Sequence, residues 1–126
     1  MKYMICGLGT DIIEISRIKK AAQRPSFLTR VFTEQEIALC RERHNFFASL
    51  AVRFAAKEAV SKALGTGFRG CGWQEIEILS DPLGKPSVVL GGKAKIIEEE
   101  LKIINWEITL SHCKNYAVAF CVAERE

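Results

Sequence analysis

In the decapeptide Arg53-Phe-Ala-Ala-Lys57-Glu58-Ala-Val-Ser61-Lys62, a guanidinium, two ammonium groups and a carboxylate recur at intervals of about one helical turn. A helix over residues 46–64 sets Glu58 and Lys62 one turn apart, and Arg53 and Lys57 likewise, so acid and bases line neighbouring faces. A second acid, Asp11, closes Gly7-Leu-Gly9-Thr10-Asp11 near the N-terminus. Such a mixture suits a metal and phosphates. Carboxylates hold Mg²⁺, the cation bridges anionic oxygens, and Lys or Arg neutralises charge on the group being transferred or released. Each residue also has an ordinary reading. Glu58 and Lys62 can form a surface pair worth roughly 0.3–0.5 kcal/mol, and Asp11 can be the N-cap of a helix starting near Ile12.

The elements that must position these groups follow from periodicity. Met4 to Ile13 reads as a buried strand with Asp11 at or near its exit, followed by a helix from Glu14 to about Gln23 that Pro25 stops. Thr33-Glu-Gln-Glu36 is a capping box opening a helix to about Arg43. Asn45 caps the central helix, in which Phe46, Phe47, Leu50, Ala51, Phe54 and Ala55 recur at helical spacing, and Gly65-Thr66-Gly67 closes it. Past the loop Phe68-Arg-Gly-Cys-Gly72, Trp73 to Leu79 and Ser87 to Leu90 read as a hairpin across Asp81-Pro-Leu-Gly84. Lys93 to Ile103 is an amphipathic helix. Trp106 to Leu110 pairs with Tyr116 to Ala123 across Lys114-Asn115. The expected fold is α+β, one domain over residues 1–126, with a mostly antiparallel sheet packed on a long central helix.

At 126 residues and 48% hydrophobic, the chain suffices for one core. Its net charge of +3, from 18 Lys and Arg against 15 Asp and Glu, is too modest to announce a nucleic-acid partner. Five cysteines, odd in number and without a Cys-x-x-Cys spacing, argue against a disulfide framework and for a reducing, cytoplasmic setting. No stretch approaches the roughly 18 apolar residues of a membrane helix, and the N-terminal run has no cleavage-site pattern. Gly7-Leu-Gly9 lacks the third glycine of a dinucleotide fingerprint and reads as close backbone packing. His112 beside Cys113, and His44 one turn after Cys40, offer too few ligands for a zinc site.

Four ordered motifs span nearly the whole chain. They are Gly9-Thr10-Asp11; Phe54-x-x-Lys57-Glu58-x-x-x-Lys62 with Gly65-Thr66-Gly67; Gly84-Lys85-Pro86; and Thr109-Leu-Ser-His112 followed by Tyr116-Ala-Val-Ala119. In this order they resemble the holo-acyl-carrier-protein synthase family, the short type of phosphopantetheinyl transferase. The resemblance implies transfer of 4′-phosphopantetheine from coenzyme A to a serine of apo acyl carrier protein, with Mg²⁺, in fatty acid biosynthesis. It implies Asp11 and Glu58 as metal ligands and Lys62 on the pyrophosphate or leaving group. Ser61 and the amides around Gly65 would add hydrogen bonds. Arg53 and His112 would hold the 3′-phosphate of coenzyme A, with Pro86 near the adenine. It implies a homotrimer as well. Lys57 belongs to the motif without an assigned role, and Val52 stands where many members have glycine.

The segment from Arg17 to Arg30 carries five basic residues, Arg17, Lys19, Lys20, Arg24 and Arg30, and no acid. A solvated basic face is the plain reading. The resemblance makes Arg17, Arg24 and Arg30 the contacts for an acidic carrier, with Phe27 and Leu28 as an apolar complement. Two further classes are compatible with parts of the pattern. A nucleic-acid-binding module would use the same basic face but lacks interleaved aromatics. A non-catalytic carrier-binding protein has no need of both acids and Lys62.

Overall fold

In a computed structural model that describes residues 2–65, 67 and 70–126, alternation carries the N-terminal strand further than the sequence pattern predicts. Strand β1 is Met4–Glu14, so Asp11 lies inside the strand rather than at its exit. Helix α1, Ile15–Ala21, follows with Glu14 at the N-cap position, which rules out Asp11 as its cap. Pro25 does not act as a stop. It sits in the first turn of a further helix, α2, Pro25–Val31, where its missing N–H costs nothing. Helix α3, Glu34–Arg41, starts with the expected capping box of Thr33 and Glu36. Helix α4, Phe46–Ala63, is capped by the Asn45 side chain on the Ala48 amide. Gly65 follows it with φ +83°, the left-handed turn that ends a helix. Thr66, Phe68 and Arg69, part of the closing motif and loop named above, lie outside the described residues.

Trp73–Glu75 forms a 3₁₀ turn rather than the start of a strand. Strands β2, Ile76–Ser80, and β3, Pro86–Leu90, then make the expected hairpin. The Asp81 carboxylate accepts from the Leu83 and Lys85 amides and fixes its turn. Helix α5, Gly92–Glu100, leads into β4, Asn105–His112, and β5, Tyr116–Arg125. The main sheet has the order β1-β5-β4, antiparallel throughout, so the two chain ends pair, Met4 opposite Arg125.

One face of this sheet packs on α4, and small residues set the spacing. Ala119, Cys121 and Ala123 of β5 share one core cluster with Ala55, Ala56, Ala59, Val60 and Ala63 of α4. Gly7 and Gly9 bring β1 closer still, since a Cβ at Gly9 would stand 1.7 Å from the Ala59 carbonyl oxygen and one at Gly7 2.4 Å from that of Ala63. Side chains alternate along a strand, so Asp11, two residues after Gly9, points to the same face. A second cluster joins the N-terminal half of α4 to α1, α2 and α3 through Ile18, Val31, Phe32, Cys40 and Leu50. Among the described residues no helix is long and apolar enough to cross a membrane.

Candidate functional site

The contact between β1 and the C-terminal half of α4 builds the first half of the site. Asp11 meets Lys62, whose ammonium lies 3.2 Å from the Asp11 Oδ1 and 2.9 Å from the Thr10 carbonyl oxygen. Glu58, one turn before Lys62, is near enough to feel both. Burial raises its pKa, the Asp11 charge raises it further, and Lys62 pulls it down. Two hard carboxylates close enough to repel each other, with the Lys62 ammonium against Asp11, form a donor set that fits Mg²⁺, which takes one or two carboxylates and leaves room for phosphate oxygens. Among the described residues no group of three His, Cys, Asp or Glu gathers anywhere.

The second half is a cleft of about 510 Å³ between α4, the β2–β3 turn and the end of β4. Arg53, Pro86 and His112, which the resemblance groups around coenzyme A, all line it. Arg53 is only 2% exposed. Its Nη1 donates to the Ser49 hydroxyl at 3.0 Å, its Nη2 to the Ser80 hydroxyl at 3.0 Å, and its Nε is buried without a partner. Among the described residues no Asp or Glu lines this cleft. A desolvated cation held by hydroxyls and lacking a carboxylate is costly until an anion completes it, and a phosphate matches the guanidinium fork. Val52, buried beside Arg53, adds an apolar patch to the wall.

Other predicted residues fall elsewhere. Ser61 is 1% exposed and its hydroxyl donates to the Glu58 carbonyl at 2.7 Å, which turns it inward along the helix. The Gly65 amide donates to the Lys62 carbonyl at 3.0 Å and so serves the helix end. Arg17, Arg24 and Arg30 are exposed on α1, before α2 and on α2, with Phe27 and Leu28 half-buried among them.

Arg43, His44, Ser49 and Ser80 also line the cleft, and the sequence reading gave none of them a place there. Arg43 and His44 stand next to the Asn45 cap, at the end of the helix that carries Arg53, and that adjacency is the signal that could have found them. Ser49 is one turn before Arg53, but a serine in a helix carries no signal of its own. Ser80 joins only through the hairpin. Lys57 is fully buried and paired with Glu36 at 2.8 Å.

A profile of the 4′-phosphopantetheinyl transferase superfamily matches residues 7–121. The chain is 50% identical over 117 residues to the holo-[acyl-carrier-protein] synthase of Caldanaerobacter subterraneus subsp. tengcongensis, covering 92% of each chain. Its fold superposes on that of the Neisseria meningitidis holo-[acyl-carrier-protein] synthase with a TM-score of 0.88 and 37% identity, over 97% of this chain and 100% of the other. The Bacillus anthracis synthase, solved in complex with CoA (3′,5′-ADP), gives 0.79 and 36% over 98% and 99%.

Proposed function

Because the chain belongs to the 4′-phosphopantetheinyl transferase superfamily, we infer that it transfers 4′-phosphopantetheine from coenzyme A to a serine hydroxyl of apo acyl carrier protein. The observation that carries this reading is one helix serving an anion site and, beside it, a cation site. Arg53 at the acid-free cleft and Glu58 opposite Asp11 are five residues apart on α4, roughly 7.5 Å along its axis. Coenzyme A is a molecule with two separated phosphate groups, a 3′-phosphate on the ribose and a pyrophosphate at the 5′ position.

In this reading Arg53, steadied by Ser49 and Ser80, binds the 3′-phosphate with His112, and Pro86 flanks the adenine. Asp11 and Glu58 hold Mg²⁺, which neutralises pyrophosphate charge when bound. The serine oxygen bonds to the phosphorus that carries pantetheine, the bond from that phosphorus to the bridging oxygen breaks, and the serine proton passes to a base. Adenosine 3′,5′-bisphosphate leaves. Lys62, half-exposed beside Asp11, stabilises the charge gathering on the departing phosphate. Arg17, Arg24 and Arg30 steer an acidic carrier to the adjoining face, which acts on encounter rate and orientation. The assembly is a cytoplasmic homotrimer supplying holo carrier for fatty acid biosynthesis, and the apolar outer face of the sheet supports the self-association.

The test is the intact mass of apo acyl carrier protein after incubation with the protein, coenzyme A and Mg²⁺. A gain of one phosphopantetheinyl group is expected, abolished by EDTA and restored by excess Mg²⁺. An unchanged carrier mass with folded protein would overturn the activity, and transfer that survives EDTA would overturn the metal.

A further inference from the structure

Lys57 sits between Arg53 and Glu58 in sequence but touches neither site. Its ammonium has three protons and three acceptors: the Glu36 Oε1 at 2.8 Å, the Trp73 carbonyl at 3.0 Å and the Ile76 carbonyl. None is left for a substrate, and the side chain is 0% exposed. Glu36 is equally committed. Its Oε1 also accepts from the Thr33 amide at 2.9 Å, and its Oε2 from the Ile78 amide at 2.8 Å. A buried ion pair of this kind adds little net stability, because desolvation offsets most of the attraction. What it does supply is direction. Three elements, α3, α4 and the start of β2, are tied through one bond between the two side chains and four to backbone atoms.

The tie ends at the cleft. Ile76, Ile78 and Ser80 lie on one face of β2, since side chains alternate along a strand. Ile76 and Ile78 are held by the pair, and Ser80 completes the row at the Arg53 Nη2. A slip of one residue in β2 would turn Ser80 to the other face and bring Leu79 or Asp81 into its place. Asp81 there would cancel the charge of Arg53.

We propose that Lys57 and Glu36 are a positioning pair for the nucleotide cleft, holding β2 in the register that sets Ser80 on the Arg53 guanidinium and so giving the cleft its preference for a ribose bearing a 3′-phosphate. The proposal rests on the reading of this cleft as the 3′-phosphate site. It is tested by calorimetric titration with adenosine 3′,5′-bisphosphate and with 5′-AMP, which lacks the 3′ group. Wild type should prefer the bisphosphate, and Lys57→Met should cut that preference about tenfold through the bisphosphate alone, the scale of one charged hydrogen bond. Ser80→Ala, which leaves the buried pair intact, should cut it in the same direction. If Lys57→Met does not fold, the double variant Glu36→Leu/Lys57→Met removes both charges together and enters the same titration. A folded Lys57 variant with the wild-type preference, weakened equally for both ligands or for neither, overturns the positioning role. A wild type without preference for the bisphosphate overturns the cleft assignment beneath it.

Discussion

Burial and the charge of Asp11 both resist ionisation of Glu58, and Lys62 opposes them only in part. The folded protein therefore keeps this proton to higher pH than the unfolded chain does. Stability contributed by the group is present below the ordinary glutamate value and lost as pH rises through the raised one. A cation at Asp11 and Glu58 reverses the loss, because it favours the charged form. In EDTA, the melting temperature of wild type relative to Glu58→Gln should fall as pH rises above the ordinary glutamate range. Added Mg²⁺ should raise wild type at about pH 7.5, raise it less at about pH 5, and leave Glu58→Gln unmoved. Equal Mg²⁺ shifts in both proteins would remove Glu58 from the metal site. Asp11, Glu58 and Lys62 could be singled out because their charges and spacing suggest chemistry by themselves, whereas Arg53 and His112 took their place at the cleft only through the resemblance. Ser80 was not legible, since a serine acquires meaning only from the guanidinium it meets, 27 residues away in sequence.

The approach of β1 to α4 is what lets an acid from residue 11 face one from residue 58. Gly9 has no room for a Cβ, and the atom in the way is the Ala59 carbonyl, which the helix cannot move. Gly9→Ala should therefore cost at least about 2 kcal/mol in urea unfolding, in the range of overpacked cores or above it. It should also lower transfer more than stability alone explains, by displacing Asp11. Gly91→Ala is the control. No atom lies within 4 Å of a Cβ there, and its φ of −136° suits any residue, so its cost should stay within about 0.5 kcal/mol. If the Gly9 variant matches that control, the close approach is not what holds the strand. The glycine pair was readable as close packing because Leu8 between them kept the strand pattern. The helix after Pro25 was hidden because proline at a first turn and proline as a terminator look alike in sequence. The 3₁₀ turn at Trp73–Glu75 was read as strand because its alternation continues into β2.

Across the whole molecule, the register of β1 on β5 assembles a surface that no local pattern reveals. Leu8 pairs with Val122, Thr10 with Phe120, Ile12 with Val118 and Glu14 with Tyr116, all on the face turned away from α4. Leu8, Ile12, Tyr116, Val118 and Phe120 are exposed, Ile12 by 65%, and Tyr3, Met4 and Ile5 near the start of β1 are exposed as well. Single exposed apolar residues are ordinary, but a contiguous row on a three-stranded sheet marks an interface. Its occupant in our reading is another copy of the chain, in a closed ring of three. Phe120 lies on the central strand of the sheet, so a charge there cannot be moved aside by fraying of an edge. On a free surface Phe120→Asp would change stability little. In a ring it places an unpaired charge in each apolar contact, which costs several kcal/mol per interface. Sedimentation equilibrium should then show wild type at three times 14.1 kDa and Phe120→Asp at 14.1 kDa. The variant should keep its far-ultraviolet dichroism, and a wild type that sediments as a monomer would leave the face for a different partner.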